Sequence, residues 1–264
     1  MISENRVPAT RTIGGLSFFE FVTKGSHSIP RRSPRAHRAF LRTFKNVASN
    51  SLLMEQVSRL RDSVIFSRLK DRPNSGGLTV ALTSPRGGEG TSLVRLLLGL
   101  ALGECQTRRV AVLDGRFDPQ RFGLLARALN LSQNSFSIQN GSSVIRGYCN
   151  ERYPNIYFLS ESKPVSYASF VPEMSLAAFF EKLRERFDYI IIDMPPLIRD
   201  TASWFLLPHA DRLYLVVEPG RTRTADIKKS FEIVKDVGSK VSGVVLSKQK
   251  TPLWARFIWR EFFY

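Results

Sequence analysis

Acidic residues, cysteine, histidine and long apolar runs are all scarce in this chain of 264 residues. Its two cysteines, Cys105 and Cys149, form neither a metal-ligand spacing nor a framework of several disulfides. They point to a reducing compartment and to ordinary packed thiols. The three histidines, His27, His37 and His209, lie far apart, which argues against a histidine-built metal site. No apolar run reaches the ~18 residues that a membrane-spanning helix needs. The opening "MISENRVPATRTIGG" lacks the apolar segment of a secretory signal. A soluble or peripheral protein is therefore expected.

The scarcity of acid leaves 23 Asp and Glu against 39 Lys and Arg, a net charge of +16. Residues 1–75 hold 14 of the basic and 5 of the acidic side chains, so +9 of that excess lies there. Such an imbalance favours an anionic partner: nucleic acid, the inner face of a membrane, or an acidic protein surface. A solvated basic tail is the plainer reading of the same numbers. Residues 1–50 mix Pro, Ser, Gly and Arg without periodicity ("GSHSIPRRSPRAHRAF"), which predicts a mostly disordered tail. Residues 51–75 bring Leu53, Val57, Leu60, Val64 and Phe66 near helical spacing, which predicts one amphipathic helix before the breaker "DRPNSGG".

From residue 76 to 250 the pattern alternates. Short apolar strands are expected at "LTVALTS", "RRVAVLDG", "NIYFLSE", "YIIIDMPP", "RLYLVVEPG" and "SGVVLSKQK". Helices are expected between them at "TSLVRLLLGLALGE", "PQRFGLLARALNL", "LAAFFEKLRERF", "SWFLLPH" and "TADIKKSFEIVKDVG". Near-continuous apolar strands alternating with helices predict an α/β fold, a parallel sheet covered on both faces in three layers. Right-handed crossovers then collect the loops after the strands on one edge, where ligands bind. Residues 251–264, "TPLWARFIWREFFY", place Leu253, Trp254, Phe257, Ile258 and Phe262 near helical spacing. They read as an interfacial anchor, a docking helix or a core-packed helix.

Three strand ends carry polar signals. After the first strand comes "SPRGGEGTS", in which Gly87, Gly88 and Gly90 allow a tight turn whose N–H groups face an anion at a helix start. Arg86, Glu89, Thr91 and Ser92 complete this candidate nucleotide-binding loop, with Ser92 where a hydroxyl ligates Mg²⁺. Asp114 ends the second strand in "VAVLDGRFD", and Asp193 ends another in "IIIDMPP". With Ser92, these two carboxylates form the candidate metal set, and they are the candidate catalytic residues of an active enzyme. For either Asp alone, a turn or cap role is the plainer reading.

Taken together, these elements resemble the bacterial tyrosine kinase family of polysaccharide synthesis, the Wzc/CpsD/CapB-like P-loop proteins, over about Glu55 to Lys250. The resemblance implies a P-loop NTPase-like fold related to ParA and MinD, with ATP or ADP and Mg²⁺ as cofactors. It also implies a cytoplasmic place at the inner face of the membrane. The implied partner is a membrane polysaccharide co-polymerase of the chain-length-determinant type, beside an anionic membrane surface and copies of the same chain; nucleic acid is not expected.

The departures fall on the groups that do the chemistry. Thr91 stands where the family has its phosphate-binding lysine. The order D-x-D-x-R has become Asp114, Arg116, Asp118. Tyr264 is the sole tyrosine of the final segment, where the family carries a phosphoacceptor cluster. The oligomer motif E-x-x-R-x-x-R keeps Glu55 and Arg61 around Ser58, and Ser247 replaces an Asn near the base. Arg116 or Arg86 is a candidate for the missing charge, Arg86 across a dimer as in the ParA/MinD relatives. The expectation is a pseudo-enzyme acting in exopolysaccharide synthesis and export, with nucleotide and metal binding weakened or lost. The alternatives are an active tyrosine autokinase or ATPase, and a ParA/MinD-like positioning protein.

Overall fold

The computed structural model describes residues 51–71, 76–116, 122–123, 125–126, 129–140, 143–161 and 176–247. The expected basic tail, the final aromatic segment with Tyr264, and Asp118 lie outside them. In chain order the elements are helix α1 (Ser51–Asp71), β1 (Leu78–Thr83), α2 (Thr91–Gly103), β2 (Val110–Asp114), β3 (Ser132–Asn140), β4 (Ser143–Asn150) and β5 (Tyr153–Glu161). They continue with α3 (Leu176–Arg184), β6 (Tyr189–Asp193), α4 (Ala202–Leu206) and a 3₁₀ turn at Leu207–His209. The series ends with β7 (Arg212–Val217), α5 (Thr224–Asp236) and β8 (Val241–Leu246).

The eight strands form one sheet in the order β3-β4-β5-β2-β6-β1-β7-β8. From β5 to β8 every neighbouring pair is parallel. The other edge departs from the all-parallel expectation, because β3 and β4 pair antiparallel as a hairpin that also lies antiparallel to β5. Its first strand, "SQNSFSIQN", buries Phe136 and Ile138 among residues that are polar in sequence, so it gives no apolar run to recognise. The fold is thus a mixed α/β protein with a mostly parallel sheet.

Alternation along the strands builds two core layers. Leu78, Val80 and Leu82 of β1 join Tyr189 and Ile191 of β6 beneath α1 and α2, with Val64, Val94 and Leu98 above them. On the opposite face Ala81, Ile190, Ile192, Leu213 and Leu215 meet Phe179, Phe180 and Leu183 of α3, and Ile233 and Val234 of α5. Because β1 and β6 sit centrally, each buries every residue it has.

Helix α1 is less amphipathic than its spacing implied. Val57 and Val64 are buried against the sheet layer, whereas Phe66 is 70% exposed. Polar ties do the rest: Arg61 donates to Glu104 at 2.8 Å, and Arg68 to the Asp188 carboxylate at 3.1 Å. Arg61, counted above in the oligomer motif, is therefore engaged within its own chain. The reading of both cysteines as packed thiols also needs correction, since Cys105 lies exposed in the turn after α2. Hydrogen bonding to Thr107 lowers its thiol pKa. Among the described residues no helix is long and apolar enough to cross a membrane, and no metal-holding group of three or more His, Cys, Asp or Glu side chains forms.

Phe180 is fully buried and packs edge-on against Phe179 at 5.4 Å and face-on against His209 at 5.1 Å. Phe180→Ala is expected to cost about 3–5 kcal/mol of stability by urea unfolding. The exposed Lys228→Ala should stay within about 0.5 kcal/mol.

Candidate nucleotide site

β1 ends at Thr83 in the middle of the sheet, and the chain must turn sharply to start α2 at Thr91. Three glycines make that turn: Gly87, Gly88 and Gly90 all have positive φ, at 94°, 87° and 96°. A side chain is strained at such angles. At Gly87 a Cβ would also stand 2.9 Å from the Pro196 ring. The "DMPP" segment after β6 explains that proximity, since it lies along the loop. Leu197 N–H donates to the Ser84 carbonyl at 3.0 Å and Ile198 N–H to that of Pro85 at 3.1 Å. The Thr83 hydroxyl donates to the Pro195 carbonyl at 2.9 Å. The prolines thus fix the second motif against the first.

The parallel register sets Asp114 directly beside Asp193. Ser92, in the first turn of α2, donates its hydroxyl to Asp193 Oδ2. The fold therefore brings the three predicted metal-set residues to one edge. Asp193 is 7% exposed, and Asp114 is half-buried and accepts the Arg116 backbone N–H at 3.0 Å. Arg116 itself is exposed. A Mg²⁺–nucleotide complex fits this donor set in part: peptide N–H groups and a helix start for phosphate, Ser92 and Asp193 for the cation. The cationic side chain is what does not fit, because Thr91 is a buried, neutral hydroxyl.

Arg86, a candidate for that charge, is engaged with a carboxylate of its own chain. Its guanidinium makes a two-point ion pair with Asp226 of α5, at 2.8 Å from Nε and 2.9 Å from Nη2. This pair ties the loop to α5. Glu89 also turns inward. It is 4% exposed, one carboxylate oxygen accepts the Arg86 N–H at 3.2 Å, and the other has no hydrogen-bond partner. Ser247, the departure near the base, is buried and donates to the Glu89 carbonyl, which pins the loop from β8.

Two arginines were missed from the sequence. Arg95 lies one helical turn after Thr91, 5% exposed among leucines. It donates to the Leu113 carbonyl at 2.8 Å, and its Nε has no partner. Its signal was a lone cation in the run "LVRLLLGLAL". Arg221, in the loop after β7, donates to the Gly88 carbonyl at 3.2 Å and pairs with Glu218 at 3.0 Å. Its place at the carboxyl end of a parallel strand was the available signal.

With the fold and loop in place, the class is that of a P-loop NTPase-like α/β protein. No family model matches the chain. It is 24% identical over 203 residues to the tyrosine-protein kinase CpsD of Streptococcus agalactiae, covering 74% of this chain and 82% of that one. It is 22% identical over 209 residues to the putative tyrosine-protein kinase CapB of Staphylococcus aureus, covering 75% and 85%. The VpsO kinase domain superposes with a TM-score of 0.55 at 23% identity, over 75% of this chain and 97% of that domain. The kinase domain of the Escherichia coli tyrosine kinase ETK gives 0.59 at 15% identity, over 74% and 75%. The chain is a relative of the bacterial tyrosine kinases.

Hydrogen bonding from Arg86, the largest cause, lowers the Asp226 pKa below its usual 3.8. A depressed carboxylate stabilises the fold fully above its unfolded pKa and loses that contribution as pH falls through the folded value. Asp226→Asn should therefore be less stable than the parent near pH 7. The gap should narrow only below about pH 4, as read from urea midpoints across a pH series.

Proposed function

We propose that this chain is a non-catalytic or weakly active tyrosine-kinase-like component of exopolysaccharide synthesis. It binds a nucleotide through the glycine-turn N–H groups, Ser92 and Asp193, and turns it over slowly or not at all. The observation that carries this reading is the mismatch at the loop. The three glycines, the Ser92–Asp193 bond and the Asp114–Asp193 register persist, while Thr91 stands in place of the lysine. Loss of one preorganised charged donor costs about 2.7–4 kcal/mol of transition-state stabilisation, or about 10²–10³-fold in rate. Binding tolerates that loss better than catalysis, since peptide dipoles still face the phosphates.

In the cell the chain lies at the inner face of the membrane, beside a polysaccharide co-polymerase whose polymerisation or chain length it regulates. The basic excess of residues 1–75 supports attraction to an anionic surface. Trp204 and Phe205, 42% and 52% exposed on α4, supply apolar side chains for a protein contact.

The test is turnover with ATP and Mg²⁺, read by phosphate release and by mass spectrometry of Tyr264. The expected result is no phosphotyrosine and hydrolysis about 10²–10³-fold slower than in Thr91→Lys. Rapid hydrolysis by the parent chain, abolished in Asp193→Ala, overturns the reading in favour of an active ATPase or autokinase.

A further inference from the structure

A loop without its lysine holds a triphosphate more tightly when another cation stands beside it. Among the described residues, four arginines of the loop and its neighbouring elements are candidates, and their environments separate them. Arg86 is bound at two points to Asp226, whose side chain is 9% exposed. Withdrawing it strands a buried carboxylate, which is strongly unfavourable. Arg95 is enclosed between α2 and the end of β2, with its guanidinium on the Leu113 carbonyl. Arg116 follows Asp114 and projects from an exposed turn. Of these four, Arg221 has its guanidinium against the glycine turn itself.

Arg221 Nη1 lies 3.2 Å from the Gly88 carbonyl, and a Cβ on Gly88 would meet Nη2 at 3.3 Å. Its counter-charge is Glu218, three residues earlier, at 3.0 Å. The Arg221 side chain is 45% exposed, and an ion pair at such a site is weak and easily exchanged. A planar guanidinium with Nη2 beside the turn suits the oxygens of a phosphate chain. The geometry points to Arg221 as the phosphate-binding cation of this site, which reaches the glycine turn from the β7–α5 loop instead of from α2. This inference rests on the nucleotide reading above and adds to it one residue, one ligand group and a way of gating. In the free chain Glu218 holds the guanidinium; a triphosphate takes it over.

The purified full chain, titrated by calorimetry with ATP and separately with adenosine, tests this. Arg221→Ala should weaken ATP about 10- to 100-fold, the effect of losing a charged hydrogen bond, and leave adenosine unchanged. Glu218→Gln should strengthen ATP binding by freeing the guanidinium, where a purely structural pair predicts a loss. Thr91→Lys should restore ATP affinity in the Arg221→Ala background and add less in the parent, the non-additivity of two groups serving one ligand. If the parent binds ATP and Arg221→Ala binds it equally well, the assignment is wrong and the nucleotide reading stands. Equal weakening of ATP and adenosine assigns Arg221 to loop shape and also overturns it. A parent chain that binds neither ligand removes the nucleotide reading, and the role of Arg221 with it.

Discussion

The glycine turn after β1 keeps its shape because side chains from distant elements hold it on several sides. Asp226 of α5 grips Arg86, and Ser247 just after β8 bonds the Glu89 carbonyl. The prolines after β6 close the remaining side. A backbone with three positive-φ residues within four positions has little helix or strand ladder of its own to rely on. The Glu89 carbonyl is satisfied from outside by Ser247, and Asp226 of α5 holds the loop through Arg86. The central sheet matters to the site mainly because it brings that unit to the same edge as β1 and β6.

Seen through its charges, the site has been rearranged more than emptied. Thr91 is neutral, yet arginines 86, 95 and 221 all lie on or beside the loop and the first turns of α2. Two of them are structural, one locked on a carboxylate and one buried against a carbonyl. A lysine at the helix start follows the phosphoryl group from ground state to transition state. An arginine reaching in from a neighbouring loop, as proposed for Arg221, would bring charge to the turn from another direction. That distinction separates a binder from a catalyst on one frame. The relatedness to tyrosine-protein kinases and the loss of their key cation are consistent with each other on that basis.

Most of the fold was legible from local patterns. Central strands such as "YIIID" and "LTVALT" are apolar throughout because both faces of the sheet are covered, and the helices between them repeat at helical spacing. The β3–β4 hairpin was not legible. It lies at the sheet edge, where Phe136 and Ile138 face the core and polar residues face away, so its pattern is too sparse to register. Phe66 was misread for the converse reason: it sits near helical spacing on α1 yet falls outside the face that α2 and the sheet cover.

By itself, then, the sequence determined the alternating α/β order, the glycine turn, the placing of Asp114 and Asp193 at strand ends and of Ser92 at a helix start, and the absence of the lysine. These are short-range properties, set by periodicity and by spacing within a few residues. The tertiary structure alone decided which arginine meets which carboxylate. Arg86 finds Asp226 across 140 residues and Arg221 finds Gly88 across 133. Such pairings depend on strand order in the sheet, because charges of one kind are interchangeable in a sequence and become distinct only when folding gives each a position.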